Sequence, residues 1–472
     1  MKHILNRKSL EHAQGPSRAL EASLSAYEFA LQDSSPKKLV ERATKLKGSQ
    51  LMLSDLHGTM TLWDLDKFDS IYIVGAGKAT AAMSSAVSCI LKARVSGGAI
   101  TVPRGIVKDK ATHLVEITEA GHPLPDKAGT LGTKKIIDVL RKATENDLIF
   151  CLISGGGSSL LPLPMQGLSL KAKRDITKTL LSVGASITEI NTIRKHLSQV
   201  KGGRLMKYVT RGCTVITLIM SDVIGDPLDG IASGPTVPDN STYGDCASIL
   251  KKYRLWKRPG SPVIETIKRG LKGKIEETPK EGDPVFKKVY NILIGNNASL
   301  CNSAVSYLGA HVNVVRYLGS CFSGEAKEFG TYLANLGGSI LLGEKSIALV
   351  LGGETTVRLN MEANGVGGRN QEAILSAALN WKLPRDLDVA IICMSTDGID
   401  GNSRAAGAVL TSRTICKIKK SHIDLKNYLR KHDSYSALRK MGAVAVTQKT
   451  GTNLNDIAIL CFMGRYSELL NM

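Results

Sequence analysis

Residues 147–164 read DLIFCLISGGGSSLLPLP, and this stretch decides the fold. Leu148 to Ile153 is a continuous apolar run, the pattern of a strand buried on both faces of a parallel sheet. It breaks into Ser154-Gly155-Gly156-Gly157-Ser158-Ser159. Three glycines let the backbone turn sharply and come close to a ligand, and two hydroxyls follow where the next helix should start. Amides, helix dipole and hydroxyls would converge there on an anion such as a phosphate or carboxylate. The alternative is a flexible Gly/Ser turn.

The same grammar recurs on either side. Ile71-Tyr72-Ile73-Val74 predicts a strand, Gly75-Ala76-Gly77-Lys78-Ala79-Thr80 a turn, and Ala81–Leu91 a helix, the opening of a Rossmann-like unit. The dinucleotide fingerprint G-x-G-x-x-G fails at Thr80, and the Walker pattern fails at Tyr72 and Ala79. What remains is Lys78 at a helix N-terminus, where the dipole disfavours a cation; the reading is a lysine held by an anionic partner. Gly121–Asp126 is a proline-stiffened loop with His122 and a helix cap at Asp126. Residues 190–204 gather Arg194, Lys195, His196 and a Lys201-Gly202-Gly203-Arg204 break, read as an anion-facing end. Val215–Met220 predicts another buried strand, with Asp222 and Asp226 at its C-terminal end, where open α/β sheets keep ligands. These carboxylates would hold Mg²⁺ through retained waters or cap turns.

A second α/β series starts at Tyr290. It brings Gly352–Val357 with Glu354, and a second glycine cradle, Gly365-Val366-Gly367-Gly368-Arg369-Asn370, opening a helix. Arg369 suits a bidentate phosphate contact. Asp397 and Asp400 lie in an acidic turn after the Ala390–Met394 strand.

Bulk properties bound the function. A chain of 472 residues predicts two domains, placed at 1–270 and 285–472, with the charged Lys251–Lys288 segment between them. Residues Leu20 to about Gln50 read as helix. The N-terminus has no apolar core of the secretory kind. No apolar run approaches a membrane span, so no membrane partner is expected. Nine cysteines without C-x-x-C spacing suit reduced thiols and no zinc site. The expected setting is cytoplasmic, with a mitochondrial address as the alternative. The net charge of +20 is spread over several basic stretches, including Lys171–Arg174. With 5% aromatics it reads as a solvated basic surface and not as a nucleic-acid platform.

Taken together, VGAGKA (74–79), GHPLPD (121–126), ISGGGSSLLPLP (153–164), NTIRKHLS (191–198), KGGR (201–204), SDVIGDPLDGIASGPTVPD (221–239), GGETTV (352–357), GGRNQE (367–372), TDGIDG (396–401) and TGTNLND (450–456) resemble the class II glycerate kinases, whose C-terminal half is the MOFRL domain. The resemblance runs from about residue 20 to the end, and departs from the family pattern at Leu351, Arg404 and Gln448-Lys449. It implies a two-domain α/β protein, a Rossmann-like parallel sheet plus a second α/β domain, with the active site in the cleft between them. It implies phosphorylation of D-glycerate by ATP and Mg²⁺, commonly at the 2-hydroxyl with the 3-hydroxyl as alternative, by a monomer or homodimer. It maps the essential lysine to Lys78 and the essential arginine to Arg369. Ser154, Gly155, Gly156, Gly157, Ser158, Arg194, Lys195, Glu354, Gly367, Gly368 and Asn370 are then the candidates for substrate and phosphate contacts, and Asp222, Asp226, Asp397 and Asp400 for the metal. Two other classes compete: an NAD-linked hydroxy-acid dehydrogenase, and a basic nucleic-acid binder.

Overall fold

The computed structural model describes residues 3–105, 114–257, 260–340, 346–361, 363–382, 387–421 and 423–465. The chain divides into two compact units, one of residues 36–294 and one joining residues 1–35 to 295–472.

The first unit opens with an antiparallel meander, β1 (Thr44–Lys47), β2 (Gln50–Ser54) and β3 (Met60–Asp64). This departs from the single long helix expected to Gln50. Helix Arg18–Asp33 ends before Ser34-Ser35-Pro36, helix Pro36–Ala43 follows, and Gly48 turns the chain at φ +62. The main sheet comprises β4 (Ile71–Ala76), β5 (Val95–Pro103), β6 (Val115–Ala120), β7 (Leu148–Ile153), β8 (Thr214–Met220) and β9 (Val289–Gly295). The expected strand from His113 starts at Val115; His113 itself lies outside the described residues. The sheet order is β6-β5-β4-β7-β8-β9, and β4 runs parallel to both β5 and β7. This is the doubly wound order, whose switch point lies between β4 and β7. Every residue of β4 and β7 is buried, which is why both read as unbroken apolar runs.

The second unit has a mixed sheet of β10 (Val314–Tyr317), β11 (Ile347–Gly353), β12 (Leu387–Ser395), β13 (Gly407–Thr411), β14 (Val444–Ala445) and β15 (Asp456–Arg465), in the order β10-β11-β15-β12-β13-β14. Only β10 and β11 pair in parallel; β15 lies antiparallel between β11 and β12. Asp456 therefore stands in register between Gly353 and Ser395, at the edge where β11 and β12 end.

The N-terminal segment belongs to this second unit and not with residues 36–270. Ser17 caps helix Arg18–Asp33 and donates to Asp388, and the buried Tyr27 hydroxyl donates to the Ser395 carbonyl at 2.8 Å. The segment expected to be a linker carries helix Pro262–Leu271, whose Val263, Ile264 and Ile267 enter a buried cluster with Ile190, Ile193 and Leu250. It folds into the first unit, and the contact boundary falls after Ile294.

Candidate active site residues in each unit

In the first unit the loops leaving β4 and β7 meet at the switch point. A Cβ on Gly75 would sit 2.1 Å from the Leu152 carbonyl oxygen, and one on Gly77 would sit 2.0 Å from the Ser154 hydroxyl. Gly75, inside β4, and Gly77, just after it, are thus required by their close approach to Leu152 and Ser154 of the neighbouring strand and its loop. Ser154 has a structural task too. Its Oγ accepts from the Ala79 amide at 3.0 Å and meets the Thr80 hydroxyl, closing the N-terminus of helix Thr80–Leu91. The Lys78 amide donates to the Gly155 carbonyl at 2.8 Å, so the two loops are stitched together. In the Gly155–Ser159 turn, the Gly157 and Ser159 amides donate to the Ser154 and Gly156 carbonyls. Gly156 is left-handed at φ +79, and its missing Cβ makes room for His122 and for the Lys78 stem.

Ser158 is the meeting point of the polar groups. Its Oγ accepts from Arg194, accepts from Lys201 Nζ at 2.9 Å, and lies 2.9 Å from the Ser233 hydroxyl. Lys201 is 1% exposed and also donates to the Ser158 and Ala232 carbonyls. Lys173, on helix Leu170–Ser182, is 7% exposed, and its Nζ has no hydrogen-bond partner among the described residues. Burial, with Arg194 and Arg204 beside it, pushes the Lys173 ammonium well below the usual lysine range. Burial, Arg194 and Lys173 do the same to Lys201.

Two neighbours expected to face anions are taken. Lys195 donates to Asp229 at 2.8 Å and to Asp239 at 3.2 Å. Arg204 donates to the Ser198 and Glu276 carbonyls and to the Tyr243 hydroxyl. His196 is fully buried between the Thr192 carbonyl and Glu277. Burial opposes ionisation of Glu277, but the bond to His196 and the amides of Tyr243 and Thr278 bring it down to about 2.

In the second unit, Arg369 starts helix Arg369–Leu379 and bonds Asp456 through Nε at 2.5 Å and Nη2 at 3.0 Å, with Glu354 2.7 Å from Nη1. Asp456 and Glu354 outweigh burial and raise the Arg369 pKa. The second glycine cradle also closes on protein. A Cβ on Gly367 would strike Ser434, and one on Gly368 would strike Asp400, at 2.1 and 2.4 Å. Asp400, 1% exposed, takes the place expected for a phosphate. It accepts from the Asn370 amide at 3.1 Å, and from the Gln371 amide and Nε2 at 2.9 and 2.8 Å. Burial, with Asp456 nearby, raises Asp400 to about 6. Asp397 accepts from the Ser395 hydroxyl and the Ile399 amide.

The structure thus brings Ser158 together with Arg194, and Arg369 with Glu354. It commits Ser154, Lys195, Asn370, Gly367, Gly368 and Asp400 to internal packing and bonding. Among the described residues no three His, Cys, Asp or Glu side chains gather as a metal site. Lys173, Lys201, Ser233 and Asp456 were missing from the sequence-based candidates. Lys201 could have been found from its place in the KGGR break. Lys173 carried no such signal.

Comparison with known proteins is consistent in kind. Residues 23–268 match a family described as a domain of unknown function, DUF4147, and residues 347–456 match the MOFRL family. The chain is 41% identical to the "Glycerate 2-kinase" of Pyrococcus horikoshii, covering 82% of this chain and 86% of that one. It is 39% identical to the "D-glycerate 2-kinase" of Thermotoga maritima, covering 83% and 90%. A relative in Agrobacterium vitis, 35% identical over 82% of this chain and 97% of its own length, carries a hydroxypyruvate reductase name. The crystal structure titled as glycerate kinase from Thermotoga maritima superposes with a TM-score of 0.79 at 34% identity, over 94% of this chain and 99% of that one.

Proposed function

Because this chain belongs to the class II glycerate kinase family, we propose that it transfers the γ-phosphate of ATP to D-glycerate, with 2-phosphoglycerate the favoured product and 3-phosphoglycerate the alternative. The observation that carries the reading is the cluster of Ser158, Arg194 and Lys201 at the switch point of a doubly wound sheet, which offers donors to an acid substrate, with Lys78 in the adjoining loop for the transferred group. Phosphoryl transfer depends on positioning and charge neutralisation more than on covalent chemistry. Lys78 acts as an electrostatic stabiliser of the transferred group, and Arg369, held by Asp456 and Glu354, is carried as the second cation the family resemblance points to.

ATP would arrive with Mg²⁺, which uses one or two carboxylates, keeps several waters, and offsets charge on the phosphates. The donor set suits that mode better than a protein cage. Asp222 or Asp226, ahead of Asp397 or Asp400, is proposed for the water-mediated contact, as a carboxylate following a strand C-terminus.

The dehydrogenase reading is disfavoured by packing. A pyrophosphate needs the free amides of the first glycine turn, and here the Gly77, Lys78 and Ala79 amides donate to the Thr101 carbonyl, the Gly155 carbonyl and the Ser154 hydroxyl. The test is a product assay. Purified protein with ATP, Mg²⁺ and D-glycerate should release ADP only when the acid is present, and ³¹P NMR distinguishes the 2- from the 3-phosphate. NADH oxidation by hydroxypyruvate without ATP turnover would sink the proposal.

A further inference from the structure

We propose that Lys173 and Arg194, supported by the Ser158–Lys201 pair, form a seat for the carboxylate of the small hydroxy acid. Only the identity of the acid rests on the kinase reading.

The argument starts from charge. Lys173 is buried with no hydrogen-bond partner for its Nζ among the described residues, and the charges that deepen the cost of its burial are the cations Arg194 and Arg204, as Arg194 and Lys173 do for Lys201. Lys195, next in sequence to Arg194, shows the ordinary solution, since it is buried with Asp229 and Asp239 as partners. A buried ammonium without a partner is costly, and it is kept only where a ligand compensates it or where it loses its proton.

Donor count then says which groups bind. Lys201 Nζ reaches three acceptors, the Ser158 carbonyl, the Ser158 hydroxyl and the Ala232 carbonyl, which uses all its hydrogens. It supports the floor of the seat. Ser158 Oγ accepts from both Arg194 and Lys201, which leaves its own proton for Ser233. Arg194 uses one N–H on Ser158 and one on Asn191 at 3.4 Å, out of five. Lys173 has all three hydrogens unspent. The donors available to a ligand are therefore the rest of the Arg194 fork and the Lys173 ammonium.

Depth selects the ligand's charge. Lys173 and Lys201 are 7% and 1% exposed, while Arg194 and Ser158 are partly exposed and form the open side. An anion entering here loses most of its water. The cost of dehydrating an ion rises steeply with its charge, so a monoanionic carboxylate enters where a doubly charged phosphate would not. An Arg fork facing a planar carboxylate also makes a geometrically matched pair.

The test is Lys173→Met, with Lys173→Gln as a second variant, each compared with wild type in steady-state kinetics and thermal melts. The seat predicts that KM for D-glycerate rises roughly 10- to 100-fold, the worth of one hydrogen bond to a charged group, while KM for ATP stays within twofold. It predicts that Lys173→Met melts higher than wild type without ligand, because an uncompensated buried amine is gone. It also predicts that added D-glycerate no longer raises the melting temperature. A purely structural lysine would lower the melting point on removal and leave KM alone, and that result would overturn the proposal. So would a rise in KM for ATP, or loss of stabilisation by inorganic phosphate, in place of the glycerate effect. If wild type fails to phosphorylate glycerate yet is stabilised by it through Lys173, the kinase reading falls and the seat stands.

Discussion

Replacing Arg369 with alanine should destabilise the second unit, and the structure sets the size of the effect. Arg369 holds two carboxylates of different kinds. Glu354 is 39% exposed on its side chain, so its arm contributes about 0.2–1 kcal/mol. Asp456 is 1% exposed and receives two N–H groups of the guanidinium. Removing the arginine leaves that carboxylate buried and uncompensated, at a cost of about 3–5 kcal/mol. Burial already holds the Asp456 pKa up, so part of the cost will appear as proton uptake. For a unit of this size the melting temperature should fall by roughly 2–4 °C per kcal/mol. Chemical denaturation and calorimetry on wild type, Arg369→Ala, Asp456→Asn and the double variant form a cycle. The double variant should recover much of the loss, and the coupling should exceed about 1.5 kcal/mol. If Arg369→Ala unfolds within 1 kcal/mol of wild type, or the two substitutions simply add, the buried clamp is misread. Kinetics of the Arg369 variant must therefore be taken well below its own melting point.

On the role proposed for Lys78 beside the transferred group, Lys78→Ala should lower kcat by about 10²-fold or more with little change in stability; turnover near normal would remove it from the chemistry. Gly75→Ala should cost several kcal/mol or prevent folding, because its Cβ meets the Leu152 carbonyl at 2.1 Å, and a melt unchanged from wild type would contradict the loop packing. Lys173 and Lys201 both sit below their ordinary pKa of 10.5. The folded chain therefore binds fewer protons than the unfolded one, and stability should rise with pH below that value and fall as pH drops toward the depressed pKa. Each lysine contributes up to about 1.4 kcal/mol per pH unit. Lys173→Met should flatten the rise of the unliganded stability profile on the acid side of 10.5; identical slopes in the two proteins would refute the assignment.

Much of the first unit was legible because parallel strands are buried on both faces. Leu148–Ile153 and Ile71–Val74 read as apolar runs, and the turn after each was visible as glycine. What those glycines serve was not legible. A glycine run marks close approach without saying by what, and here the approaching groups are Leu152, Ser154, Ser434 and Asp400. The second sheet was read as a further α/β series, but β15 enters it antiparallel from the far end of the chain. That pairing is nonlocal, and it is what delivers Asp456 to Arg369. Lys173 lies in the polar run KAKR and reads as solvated surface. Its burial depends on tertiary packing around helix Leu170–Ser182, which no local period announces. The N-terminal helix was seen, but its attachment through Ser17 and Tyr27 joins residues some 370 positions apart.

The most direct measurement is transfer of label from γ-³²P-ATP to D-glycerate in a single turnover. The wild-type chain should place the label on glycerate, and Lys78→Ala, folded to the same extent, should not within the same time. Label released as inorganic phosphate whether or not the acid is present, or no ATP consumed at all, would contradict the account.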